Sequence, residues 1–113
     1  MALKKQIILD NGIAVNYHRI NSIEFMTNWT ININISSYIS EEQRNKEIQY
    51  QNIAKKQIRG EKLAPEEIIL LNKPLNVFIE GDFLEIEYNE NLSIKDIYEY
   101  LKTTEKYKDA ADA

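Results

Sequence analysis

From Leu75 to Tyr88 the placing of apolar and polar residues fixes a hairpin geometry of its own. A two-residue turn at Gly81-Asp82 opposes Glu80 to Phe83, Ile79 to Leu84 and Val77 to Ile86. One face of that hairpin then carries Leu75, Val77, Ile79, Leu84, Ile86 and Tyr88. The other carries Asn76, Phe78, Glu80, Phe83, Glu85 and Glu87. A slip of one residue scrambles the sorting, so the pattern specifies both turn and register. Glycine at the first central position suits a primed turn, because it reaches positive φ at little cost. A hairpin over 75–88 is expected.

A second hairpin is expected near the start, where Leu3 to Asp10 and Ile13 to Ile20 flank Asn11-Gly12, a strong short-range turn signal. That turn puts Ile8, Ile13, Val15 and Tyr17 on one face. Ile7, Leu9 and Ala14 fall on the other, beside Lys5, Asn16 and His18. From Trp29 to Ser37 the alternation is clean: Trp29, Ile31, Ile33 and Ile35 against Thr30, Asn32, Asn34 and Ser36. This is the signature of a half-buried strand, and Ile23 to Met26 pairs with it through a turn at Thr27-Asn28.

At Ser40 the period changes from two to that of a helix. Ser40 and Gln43 have capping-box spacing, and Glu41 and Glu42 favour the positive end of a helix dipole. The helix runs to Arg59 and stops at Gly60. Its apolar content is thin (Ile48, Tyr50, Ile53, Ala54, Ile58), so it is mostly exposed or packs on another subunit. A short helix opens at Pro65-Glu66-Glu67, continues through Ile68 to Leu71 and ends at Lys73-Pro74. The segment 41–74 is thus a helical excursion between strands. The best-marked helix begins at Ser93: Asp96 completes a capping box and Leu92 can staple onto Ile97. Ile94, Ile97, Tyr98 and Leu101 form a face that packs on the sheet. The expected fold class is α+β: an antiparallel sheet of two hairpins and a central strand, with the C-terminal helix across one face. With 113 residues and no repeats or Gly/Ser linkers, residues 1–113 are read as a single domain.

Charge and composition exclude more than they assign. The net charge is −4, divided between +3 over residues 1–60 and −7 over 61–113. An acidic chain without a basic stripe is a poor nucleic-acid binder; the asymmetry is read first as solvated faces on both halves, with head-to-tail packing between copies as the second reading. There is no cysteine, hence no disulfide, thiolate metal site or cysteine nucleophile. No apolar run approaches a membrane span and Met1–Lys5 lacks a signal-peptide core, so synthesis in the cytoplasm is expected. The three glycines form no phosphate-binding loop. His18, the one histidine, has no marked partner and is assigned a structural or surface role. Glu80, Asp82, Glu85 and Glu87 offer oxygen ligands for a weak cation, but in no recognised spacing. No catalytic residue, cofactor site or metal site is assigned, and an enzyme is not expected. Trp29 and Tyr17 are placed in the core. Tyr50, Ile53, Phe78, Phe83, Tyr100 and Tyr107 are the interface candidates, since aromatic residues are enriched where chains meet.

Three stretches carry a resemblance. They are Leu9-Asp10-Asn11-Gly12-Ile13-Ala14-Val15-Asn16-Tyr17-His18-Arg19-Ile20, then Ser37-Tyr38-Ile39-Ser40-Glu41-Glu42-Gln43-Arg44, and finally Tyr98-Glu99-Tyr100-Leu101-Lys102 with Tyr107 and Ala110-Ala111-Asp112. Together they resemble a family of small proteins from the tail modules of phages, prophages and phage-tail-like particles of Gram-positive bacteria. The resemblance covers both ends of the chain; the 45–74 stretch departs from the family pattern, which has a shorter connection there. It implies a non-enzymatic structural or accessory part of a tail or baseplate, incorporated into a virion or tail-like particle. Its partners are then other tail or baseplate proteins and further copies of itself, with no nucleic acid or membrane. The alternative is a monomeric binding module that recognises a cell-wall carbohydrate or a host protein.

Overall fold

A computed structural model describes residues 1–72 and 78–113, with the backbone alone at 78 and 79. The strands are β1 (Leu3–Ile8), β2 (Ala14–Met26), β3 (Thr30–Tyr38), β4 (Phe78–Glu87) and β5 (Ala111–Asp112). The helices are α1 (Glu41–Ile58), α2 (Pro65–Asn72) and α3 (Ile94–Leu101). The strands form one antiparallel sheet in the order β4-β3-β2-β1-β5. The fold is α+β.

Cross-strand partners share a face, so the registers sort the sheet into rows. On one face, Ile20, Ile35 and Asp82 form a row, followed by Ile23, Ile33 and Leu84, then Phe25, Ile31 and Ile86. α3 covers this face with Ile97, Tyr98 and Leu101, which join Leu3, Ile20, Ile31, Ile33 and Ile35 in the core. Burying each such aliphatic side chain contributes about 1.5–3 kcal/mol. The expected capping box is present: Ser93 Oγ accepts from the Asp96 amide at 3.1 Å, and the Asp96 carboxylate accepts from the Ser93 amide at 3.0 Å. The opposite face pairs Glu24 with Asn32 and Glu85, and Met26 with Thr30 and Glu87.

The largest departure from expectation is at Gly81-Asp82. No hairpin turns there; β4 is one strand that runs straight through, with Gly81 opposite Ser36 and Asp82 opposite Ile35. β3 provides a ladder partner along the whole of β4, and Gly81 does not adopt positive φ. A continuous ladder to a buried central strand outcompetes a two-stranded ribbon, which has nothing to cover its apolar face. Glu80 consequently lies on the covered face with Asp82 and Leu84, not beside Phe83. The expected positions Leu75 to Val77, and Lys73-Pro74 as a helix stop, lie outside the described residues.

The first hairpin forms, but one residue out of the expected register. Ile8 opposes Ala14 and Ile7 opposes Val15, around a three-residue loop Asp10-Asn11-Gly12. The Gly12 amide donates to Leu9 O and the Leu9 amide to Ile13 O, both at 2.8 Å, with Gly12 at φ +84°. This is a type I turn closed by a left-handed glycine, the usual longer alternative to a two-residue turn. A bulge between Lys4 and Ile7 then sets Leu3 opposite His18. The turn after Met26 forms as expected, with Asn28 at φ +61°. Trp29 belongs to this turn rather than to the strand and is 67% exposed, so its expected core position is corrected. Tyr17 is half-buried and stacks at a tilt on Tyr38.

α1 and α2 form the expected excursion. α1 ends at Ile58, capped by Arg59 with Gly60 at φ +78°, but Ser40 makes no side-chain cap bond, so no capping box forms there. Neither helix buries a residue. α1 is tied to the sheet by polar contacts at Glu47. Its Oε1 accepts from Tyr38 OH at 2.7 Å, from Arg19 Nη2 at 3.4 Å and from Arg44 Nη1. Arg19 Nε also donates to Tyr38 OH at 3.0 Å. Burial and the Glu47 carboxylate push the Tyr38 pKa up, and Arg19 opposes them.

Candidate functional site

The densest group of titratable side chains sits at one end of the covered face. β1, β2, β3 and β4 place Leu3, His18, Ser37 and Glu80 in a single row, with Asp82 in the next. The segment after α3 crosses over this row. Lys106 Nζ lies 3.0 Å from Glu80 Oε2 and 3.3 Å from Asp82 Oδ2. Tyr107 OH donates to Asp82 Oδ2 at 3.3 Å, and the Tyr107 ring meets His18 edge-on with centroids 5.3 Å apart.

His18 is 1% exposed and fully hydrogen-bonded. Its Nε2 is 2.8 Å from Lys5 O, and a carbonyl only accepts, so Nε2 carries the proton. Nδ1 then accepts from Ser37 Oγ at 2.7 Å. Burial disfavours the imidazolium and pulls the pKa below its ordinary value, with the Lys5 carbonyl working the other way. A hydroxyl donating to an imidazole whose far nitrogen is anchored is the geometry of an activated nucleophile. Ser37, however, is 0% exposed, and no substrate reaches its Oγ in this state. The pair serves as a satisfied polar contact inside the core.

Burial works against the charge of Lys106, but the Glu80 hydrogen bond and the nearby Asp82 outweigh it and raise its pKa. Tyr107 is raised strongly, first by burial and then by the Asp82 carboxylate. The position between Glu80 and Asp82, where the sequence offers oxygen ligands but no assigned site, is filled by the chain's own Lys106 ammonium group. Glu85 and Glu87 are on the other face of β4, so the four carboxylates do not converge. Among the described residues, no three His, Cys, Asp or Glu side chains are grouped to hold a metal ion. The cluster works as a clasp that fixes the C-terminal segment across the sheet.

The interface candidates scatter. Tyr107 is 2% exposed and packs in the core, which removes it as a contact residue: its ring covers the His18 row. Tyr50 and Ile53 are half-buried on α1, Tyr50 in the cleft against α2 with Leu63, Ile68 and Leu71. Phe83 is 56% exposed on the open sheet face, and Tyr100 is 44% exposed on α3. The side chain of Phe78 lies outside the described residues. An open groove of about 970 Å³ runs beside the end of β4, lined by residues 85–92, Asn28 and Tyr100. Sequence reasoning missed the exposed Ile68, Ile69 and Leu70 of α2, whose four-residue apolar run resembles core. It also missed the His18–Ser37–Tyr107 cluster, whose members are far apart in the chain and show no local signal.

Among the described residues, no helix is long and apolar enough to cross a membrane. Comparison with protein-family models, with curated proteins and with solved structures gives no match to this chain.

Proposed function

We propose that the protein is a non-enzymatic structural or assembly component of a phage tail, baseplate or phage-tail-like particle, working through protein–protein contacts. The observation that carries this reading is the α1–α2 excursion. No residue of its helices, of 18 and 8 residues, is fully buried, and Ile58, Ile68, Ile69 and Leu70 are exposed to solvent. Short helices gain most of their stability from packing an apolar face, and a contiguous apolar surface marks a contact site. Copies of the chain and neighbouring tail proteins provide the cover. The resemblance at both ends of the chain supplies the particle, and the exposed Phe83 and Tyr100 add contact area. A monomeric binding module is the second reading, favoured by Tyr88 and Tyr100 lining the groove beside β4.

Light scattering over a range of concentrations tests the first reading. A discrete oligomer is expected, with Ile69→Lys shifting it toward smaller species. A wild-type monomer at every concentration that also captures no tail protein overturns it.

A further inference from the structure

We infer that the outer edge of β4, from Leu84 to Glu87, accepts an extended segment of a partner protein in which basic and large apolar residues alternate. This rests on the protein–protein reading above and names the chemistry of the partner. β4 is the terminal strand of the sheet, so its outward groups have no strand partner among the described residues; the Phe83 amide donates to Asp82 Oδ1 at 2.9 Å, and the open stretch begins after it. The groove beside it is lined by the consecutive residues Glu85, Ile86 and Glu87, which belong to both faces. Residues 88–92, Asn28 and Tyr100 of α3 line the rest of it. A strand edge beside a helix is a surface that adds a peptide by main-chain pairing, with alternate side chains supplying specificity.

The two sides of the edge differ in chemistry. On the α3 side an added strand meets the half-buried Leu84, Ile86 and Tyr88, together with the exposed Tyr100. On the open side it meets Glu85 and Glu87, with Glu24 two strands away. None of these three carboxylates belongs to an ion pair among the described residues, and the rows that hold them contain no base. The complementary strand presents apolar side chains on one side and Lys or Arg on the other. At the opposite border of the sheet, β5 offers only two residues.

The probe is a fluorescent, end-blocked peptide of alternating Ile and Lys, with fluorescence anisotropy as the readout. Two changes are each expected to weaken binding about tenfold: N-methylation of alternate amides, and the double substitution Glu85→Lys, Glu87→Lys. Glu24→Lys, on the same face but not at this edge, is expected to change it less than about twofold. Circular dichroism confirms that each variant is folded. Failure of the unmethylated peptide to bind, equal binding of the methylated peptide, or indifference to Glu85 and Glu87 overturns the inference. Light scattering on the same samples separates the two proposals. An oligomer that ignores the peptide removes only the strand site, and a monomer that binds it removes only self-assembly.

Discussion

His18 shows how one side chain couples the core to solution conditions. In the folded chain its Nδ1 and Nε2 are used by Ser37 and Lys5, and burial holds its pKa below 6.5. As pH falls, the unfolded chain takes up the proton first. Stability is therefore complete above about pH 6.5 and is lost as pH falls toward the folded-state value, by up to about 1.4 kcal/mol per pH unit. Chemical denaturation between pH 7.5 and 5 is expected to show this slope. His18→Gln, less stable at pH 7.5, is expected to flatten it; an equal slope in the variant assigns the effect elsewhere. The sequence shows that His18 is alone, but not that Ser37 and Tyr107 surround it. Those positions come together only once the strands register and the C-terminal segment folds back.

Among the elements, the caps separate local information from tertiary information. Both Ser40 and Ser93 carry the expected spacing, yet only Ser93 makes its side-chain bond. Ser93→Ala is expected to lower stability by about 1 kcal/mol, and Ser40→Ala to leave it nearly unchanged, measured as shifts in urea midpoint. Equal costs at both sites contradict this account. The strand pattern over Ile31–Ser37 and the Ile97, Tyr98 and Leu101 face of α3 were legible, because one buried face imposes each period; Trp29 and Ile94, at the ends of these patterns, are exposed at 67% and 57% instead of packed. β4 was not, because alternation describes either face of a sheet and Gly81-Asp82 carries a turn signal. Only the presence of β3 as a partner along its whole length decides that the chain continues straight.

At the scale of the whole molecule, the C-terminal segment acts as a strap. Lys106 reaches β4, Tyr107 covers β2 at His18, and Ala111–Asp112 pair with β1. Removing the ring with Tyr107→Ala is expected to cost about 3 kcal/mol. Hydrogen exchange is expected to accelerate in both β1 and the C-terminal segment of this variant. Acceleration confined to residues 103–113 excludes a strap. The sequence marks Tyr107 as a contact residue but not that it and Ala110 enter this chain's own core, because no local pattern shows the tail folding back.

The strap also orders events in time. Leu3 pairs with Asp112, and the Ala113 amide donates to Ala2 O at 3.0 Å. A strand at residues 3–8 is thus completed by residues made more than a hundred positions later. Such separations slow folding, because a large loop closes before its contacts are gained. On the ribosome, β1 pairs with β2 early but keeps its far edge unpaired until residue 112 has emerged. Through that interval the nascent chain displays an open strand, the state in which it is most exposed to pairing with a neighbouring copy.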